Sequence, residues 1–245
     1  MTQDLNVIFE NEDLLVIDKP APLLVFSKTK TKERTLANLL LENYPLLRQV
    51  GESLRYGIVH RLDKETSGIV LVAKNQKTLE FLQKEFKEKR ATKKYLAAVS
   101  GKVQTKEGKI ETLIARDPKN GKKRKAFLLF SPDAKKQGKR LAQTYYRVLK
   151  LFSEGQNDYT LLEVIPKTGR THQIRVHLAF LGHPIIGDKL YAFKRQSCPK
   201  DLNRQFLHAG YLKINLPDGK TKEFESKLPR DLENILNNLK EQYDK

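Results

Sequence analysis

A run of five apolar residues, 69–73, directly follows a polar and highly charged segment, residues 60–68. Apolar runs of this length are typical of strands buried inside a sheet. Gly57 precedes the charged segment and Gly68 ends it, and glycine permits sharp backbone turns at both places. We therefore expect residues 60–68 to form a loop that crosses the end of a sheet. Loops anchored to a rigid strand in this way often carry catalytic groups.

Asp63 is the candidate reactive group of this loop. It lies two residues after Arg61 and directly before Lys64, and nearby positive charge stabilises an ionised carboxylate. An ionised aspartate in a basic setting can bind a cation or attack an electron-poor carbon, and the surrounding chain favours the second use. The alternative is a structural aspartate that caps a turn within a local ion pair.

The composition favours a nucleic-acid partner. The chain of 245 residues contains 47 lysines and arginines against 29 acidic residues, a formal net charge of +18, which attracts polyanions such as RNA or DNA. No stretch approaches the roughly 20 apolar residues of a membrane-spanning helix, and the polar N-terminus is unlike a signal peptide. Cys198 is the only cysteine, so an intrachain disulfide is excluded. We expect a cytoplasmic protein.

The apolar pattern predicts one α+β domain in which antiparallel strands dominate. We find no internal repeat and no linker. Helices are predicted at residues 35–43, 76–90 and 171–181 and from about Pro229. Strands are predicted at residues 5–9, 13–18, 69–73, 95–101, 109–115, 124–130, 142–151, 158–165 and 206–216.

Two basic loops, at residues 119–125 and 135–140, are expected near the ends of neighbouring strands. They are either solvated hairpin tips without a function or loops that contact phosphates, where each cation adds salt-sensitive affinity. Both interpretations remain open. The first loop supplies Lys122, Lys123 and Arg124 as candidate RNA contacts.

A second cluster of functional residue types occupies positions 167–177. Thr171 is expected to cap a helix there, and the helix start together with Arg170 would favour an anion such as a phosphate. Arg175 lies further along the helix and could hold Asp63 in a bidentate pair. The histidine pair at 172 and 177 is spaced by five residues rather than four, and no HExxH motif is present, so metal ligation is disfavoured.

Together these segments resemble the RluA-type pseudouridine synthases, enzymes that isomerise uridine within RNA. Residues 60–68 match the family signature, and further matches extend through nearly the whole chain. The matching segments are 12–20 (EDLLVIDKP), 60–68 (HRLDKETSG), 94–97 (KYLA), 168–177 (TGRTHQIRVH), 182–185 (GHPI), 187–188 (GD) and 207–209 (LHA).

The resemblance implies a role for each of several residues. Asp63 would be the catalytic nucleophile, Tyr95 the aromatic residue that stacks on the target base, and Arg175 the basic residue that pairs with the aspartate. Arg61 would help to displace the target base from its stack. No cofactor and no metal are implied. The candidate RNA-binding residues are Arg61, Lys64, Arg170, His172, Lys122, Lys123 and Arg124.

The expected fold is a single pseudouridine synthase catalytic domain at residues 6–245, with a mixed, mostly antiparallel central sheet flanked by helices. No separate N-terminal RNA-binding domain is expected, and a monomer acting on ribosomal or transfer RNA is the default. Two alternatives stay open. One is a basic module that binds RNA without chemistry, and the other is a metal-dependent nuclease, which would need more clustered carboxylates than Asp63 and Glu65.

Overall fold

Residues 5–27, 32–130 and 138–242 are described by the computed structural model, and they fall into two units. The first unit contains the described residues up to Lys93 together with His208–Lys227. The second contains Lys94–Leu207 and the described residues from Leu228 onwards. Residues 135–137 of the predicted basic loop at 135–140 lie outside the described residues.

The described residues form eleven strands and four α-helices, and five of the strands, β4 to β8, follow one another without an intervening helix. The strands are β1 (Val7–Glu10), β2 (Leu14–Lys19), β3 (Ser67–Ala73), β4 (Thr92–Ser100), β5 (Glu107–Arg116), β6 (Arg124–Phe127), β7 (Arg140–Glu154), β8 (Asn157–Pro166), β9 (Leu207–Asn215), β10 (Thr221–Glu225) and β11 (Lys240–Gln242). The helices are α1 (Leu36–Asn43), α2 (Gln76–Lys87), α3 (Gln173–Phe180) and α4 (Arg230–Asn238), with a 3-10 helix at Pro45–Gln49.

The first unit is built around β3, whose seven residues are all buried. Its strands lie in the order β1-β2-β3-β9, with β10 paired to β9. β3 and β9 run parallel, whereas the pairs β1–β2, β2–β3 and β9–β10 are antiparallel. Burial on both faces explains why the sequence of β3 is continuously apolar rather than alternating. The predicted buried strand is therefore confirmed.

Gly68 is required where β3 begins. Its φ is +115°, a conformation that other residues rarely adopt. A Cβ atom at this position would lie 2.3 Å from the carbonyl oxygen of Ala209 on β9. The glycine thus allows the loop of residues 60–66 to enter the sheet directly beside a neighbouring backbone.

The second unit contains an antiparallel sheet in the order β4-β8-β7-β5-β6, with β11 paired to β7. Helix α3 contacts β5, β6, β7 and β8, and its residues 173–178 are all buried. Such a helix is part of the core and does not present a basic face to solvent.

The predicted α+β class and the mixed, mostly antiparallel strand pairing are confirmed. The helix predicted at 35–43 is also confirmed, and Thr35 forms a capping box with Asn38 at its start. The predicted cap at Thr171 is wrong: the residue before α3 is His172, in the left-handed conformation with φ +57°, and no side chain caps the helix. Within the described residues, none of the helices is long and apolar enough to cross a membrane.

We expect Gly68→Ala to lower the free energy of unfolding by at least about 2 kcal/mol, because a positive φ alone costs about 1–3 kcal/mol for other residues. Gly121→Ala is the matched control, since a Cβ there meets nothing within 4 Å, and it should change stability by less than about 1 kcal/mol. Urea unfolding measures both. Equal stability of the two variants would contradict the steric argument.

Candidate functional site

Asp63 lies in a tight turn of the first unit, just before β3. The Thr66 amide donates to the Asp63 carbonyl at 3.0 Å, and the Leu23 amide donates to the Lys64 carbonyl at 2.9 Å. The ammonium of Lys19, a fully buried side chain, donates to the carbonyls of Leu23 at 2.9 Å and Lys64 at 3.3 Å. Residues 19–23 therefore hold the backbone of the turn, and the Asp63 side chain is half-buried there.

The two cations that flank Asp63 have different surroundings. Arg61 is exposed, and its guanidinium lies 5.4 Å from the centre of the Phe26 ring. Lys64 pairs with Glu33, with 2.8 Å between Nζ and Oε2. The ion pair offsets part of the charge that Lys64 could offer to a phosphate, so Arg61 is the stronger candidate RNA contact of the two.

His60 anchors the start of the same loop. Its Nε2 accepts a hydrogen bond from the Leu71 amide of β3 at 3.2 Å, and its ring stacks on Phe86 of α2 with 4.6 Å between centroids. Burial and the positive charge of Lys93 lower the pKa of His60 to about 3. The ring is therefore neutral and structural at physiological pH.

Arg175, on α3 of the second unit, forms a buried ion pair with Asp188. Its Nε and one terminal nitrogen donate to the two carboxylate oxygens at 2.7 and 2.9 Å. Burial alone would raise the pKa of Asp188, but hydrogen bonds and charge from Arg175 hold that pKa below its ordinary value. A guanidinium has five N–H donors, so this pair does not contradict the predicted pairing of Arg175 with Asp63, which stays a prediction.

Asp188 also shapes the turn that follows it. Its Oδ1 accepts from the amides of Leu190 at 2.9 Å and Tyr191 at 3.0 Å. The same carboxylate therefore orients the guanidinium of Arg175 and the backbone of Tyr191. The guanidinium carbon of Arg175 lies 5.1 Å from the centre of the Tyr191 ring, a distance that permits a cation–π interaction.

Tyr95, the predicted stacking residue, lies on β4 of the second unit opposite Val164 of β8. Its side chain is half-buried and packs against the core of that unit. Tyr95 is therefore neither fully buried nor fully exposed, and its stacking role stays a prediction.

Arg170 and His172 precede α3. The Nε of Arg170 donates to the Leu141 carbonyl at 3.1 Å, and burial together with the charge of Arg140 lowers the pKa of Arg170. Two neighbouring guanidiniums favour an anion at this place. His172 has its Nδ1 2.9 Å from the hydroxyl oxygen of Tyr191.

The predicted RNA contacts Lys122, Lys123 and Arg124 lie in the hairpin that joins β5 to β6. Lys122 is exposed, whereas Lys123 and Arg124 are half-buried. The Arg124 amide donates to the Tyr191 hydroxyl at 2.8 Å. The hairpin and the start of α3 therefore share one partner, Tyr191.

Sequence reasoning missed the roles of Asp188 and Tyr191. Asp188 belonged to a quoted motif, but its partner is 13 residues away and nothing in the local pattern indicated the pair. Within the described residues no group of three or more histidine, cysteine or acidic side chains could hold a metal ion.

Comparisons with known proteins decide the family. The sequence model of RNA pseudouridylate synthase matches residues 13–180, which include Asp63, Tyr95 and Arg175. The chain belongs to this family. The resemblance predicted from the sequence is thereby confirmed, and the family consists of isomerases that act on RNA.

Several family members are similar to the chain over much of its length. An uncharacterized RNA pseudouridine synthase of Aquifex aeolicus is 43% identical over 81% of this chain and 59% of its own length. Ribosomal large subunit pseudouridine synthase D of Borreliella burgdorferi is 40% identical over 95% of this chain and 68% of its own length. The structure of human RNA pseudouridylate synthase domain containing 1 superposes with a TM-score of 0.77 and 27% identity, covering 99% and 90% of the two chains. The chain spans 59% and 68% of the lengths of the two bacterial relatives.

His177 gives this family member a specific pH dependence of stability. The ring is fully buried between the hydroxyls of Thr112 at 3.0 Å and Thr144 at 2.8 Å. Burial lowers the pKa of His177 from 6.5 to about 4. Since the unfolded chain binds the proton more readily, the stability from neutral His177 is complete above about pH 6.5 and is lost as the pH falls towards 4.

We expect this loss to amount to about 2 kcal/mol at pH 4.5 relative to pH 7.5. Glutamine does not titrate. The loss of unfolding free energy between pH 7.5 and pH 4.5 should therefore be about 2 kcal/mol smaller for His177→Gln than for the wild type. Urea unfolding at both pH values measures the difference. An identical pH dependence of variant and wild type would show that His177 is not the titrating group.

Proposed function

We propose that this chain is an RNA pseudouridine synthase that isomerises specific uridines in structured RNA. The observation that carries the proposal is the family match across residues 13–180, which spans the Asp63 loop, Tyr95 on β4 and Arg175 on α3. The net charge of +18 supports RNA as the partner. A cytoplasmic location stays a prediction.

Ribosomal RNA is the first substrate to test. The Borreliella relative carries a name that refers to the large ribosomal subunit, and that substrate comes to this chain by similarity. Sequence-specific RNA readers mostly recognise loops and other exposed bases. We therefore propose a uridine in a loop of large-subunit ribosomal RNA, with transfer RNA as the alternative substrate.

In the proposed reaction the bond between the ribose carbon and N1 of uracil breaks, the base turns, and a new bond forms to C5. C5 then loses its proton and N1 takes one up, so the product is an isomer of the substrate. Asp63 acts as the nucleophile, on either the base or the sugar. The turn that holds Asp63 fixes its backbone through Thr66, Leu23 and Lys19. This support suits a nucleophile, because the reacting group must keep one geometry.

The target base must leave its stack before it can react, which costs a few kcal/mol. Stacking on an aromatic ring contributes about 1–3 kcal/mol per base, so Tyr95 could offset most of that cost. We propose that Arg61 helps to displace the base. Its guanidinium is exposed and lies over the Phe26 ring.

Asp63→Asn tests the central residue. The substitution keeps the size of the side chain and removes its charge, so we expect pseudouridine formation to fall at least about a thousandfold with RNA affinity within a few-fold of wild type. Pseudouridine on a large-subunit ribosomal RNA transcript is quantified by mass spectrometry, and affinity by filter binding. Asp218→Asn, in the turn between β9 and β10, is the control and should retain full activity. Normal turnover by Asp63→Asn would refute the proposed role.

A further inference from the structure

An exposed aromatic residue lies among cations in the segment that follows Asp188. Phe193 is 51% exposed, and Lys189, Lys194 and Arg195 of the same segment are exposed as well. Residues 189–195 contain three basic and no acidic side chains. An exposed phenylalanine beside several cations has the composition of surfaces on which unpaired bases stack while phosphates pair with the cations.

The loop at residues 188–196 is held by its own hydrogen bonds. The Asp188 carboxylate accepts from the amides of Leu190 and Tyr191, and the Ala192 amide donates to the Asp188 carbonyl at 3.1 Å. Gln196 then closes a turn with Phe193, donating to its carbonyl and accepting from its amide, both at 3.1 Å. A partner that binds here meets a loop whose backbone is already ordered, which reduces the entropy lost on binding.

Tyr191 joins this loop to the hairpin between β5 and β6. Its hydroxyl oxygen accepts from the Arg124 amide at 2.8 Å and lies 2.9 Å from Nδ1 of His172. Residues 116–125 of the hairpin contain six basic side chains and one acidic side chain. The hairpin and the 188–196 loop are therefore neighbours, and each of the two segments carries a net positive charge.

We infer that the 188–196 loop and the hairpin between β5 and β6 form one RNA-docking surface, on which Phe193 stacks against an unpaired base of the substrate RNA. The inference rests on the proposed function and adds a contact outside the residues that carry the chemistry. RNA fits better than a protein partner, because three exposed cations lie in the same short segment as Phe193. Phe193 is also the only large apolar side chain of the 188–196 loop that is exposed.

Substitutions at Phe193 separate stacking from simple apolar contact. A fluorescent RNA stem-loop with a uridine-rich loop is the probe, and its affinity is measured by anisotropy. Phe193→Ala and Phe193→Leu should each weaken binding about tenfold, as expected for the loss of one stacked base, whereas Phe193→Trp should retain it. Phe180→Ala is the control, because Phe180 is 47% exposed but has no cation next to it in sequence.

Lysine substitutions test whether the two segments bind one RNA together. The plot of log affinity against log salt concentration has a negative slope. Its magnitude should decrease by about one for Lys122→Gln, by about one for Lys194→Gln and by about two for the double variant. Lys220→Gln, in the turn between β9 and β10, should leave the slope unchanged.

Unchanged affinity of Phe193→Ala would overturn the inference. Wild-type affinity of Phe193→Leu would overturn it as well, because it would show an apolar contact in place of stacking. Pseudouridine formation on the same stem-loop and on the ribosomal transcript keeps the two proposals distinct. If the wild type forms pseudouridine and Phe193→Ala shows the same KM, the docking surface fails and the proposed function stands. If Phe193→Ala weakens binding and the wild type forms no pseudouridine on either RNA, the function fails and the surface stands.

Discussion

The arrangement of α3 and the 188–196 loop in the second unit depends on the buried ion pair between Arg175 and Asp188. Both side chains are almost completely buried, with relative exposures of 8% and 1%, and a buried charge is tolerated only when it is paired and hydrogen-bonded. One carboxylate meets this need by accepting from the guanidinium and from two backbone amides. Removing either partner would leave an uncompensated charge, so α3 and the 188–196 loop must keep their present relation.

Polar contacts under α3 reinforce that constraint. The Gln173 side chain donates to the Gln143 carbonyl and to the Thr144 hydroxyl, and Thr168 donates to Gln173. His177 lies between two further threonine hydroxyl contacts. Hydrogen bonds are directional, so this layer fixes the rotation of α3 about its axis more strictly than apolar packing would. An isolated helix of eight residues is only marginally stable in water. These contacts are therefore needed to keep the guanidinium of Arg175, on α3, in place.

Much of the fold could be predicted because the local signals agreed with the tertiary structure. The continuous apolar run of β3, the helical pattern that begins at Thr35 and the strands predicted in the second unit are examples. The prediction of a strand at 124–130 was too long: β6 ends at Phe127, and Leu128 and Phe130 are 62% and 97% exposed. Their apolar character does not reflect burial, and periodicity cannot reveal that.

Other features have no local signal at all. β10 is an edge strand with one buried residue, Phe224, and β11 has three residues, so neither shows a usable pattern. The left-handed conformation of His172 has no signal in the sequence around it. The junction at Tyr191 likewise joins residues 67 and 19 positions away. Candidate catalytic residues were accessible through motif resemblance, whereas the residues that position them required the structure.

Pseudouridine mapping of total RNA from cells with and without this gene tests the central claim most directly, because it requires no prior choice of substrate. The account predicts the loss of one or a few pseudouridines in the deletion strain, foremost in large-subunit ribosomal RNA, and their return when the gene is restored. An unchanged map, together with no pseudouridine formed by the purified protein on transcribed RNA, would contradict it.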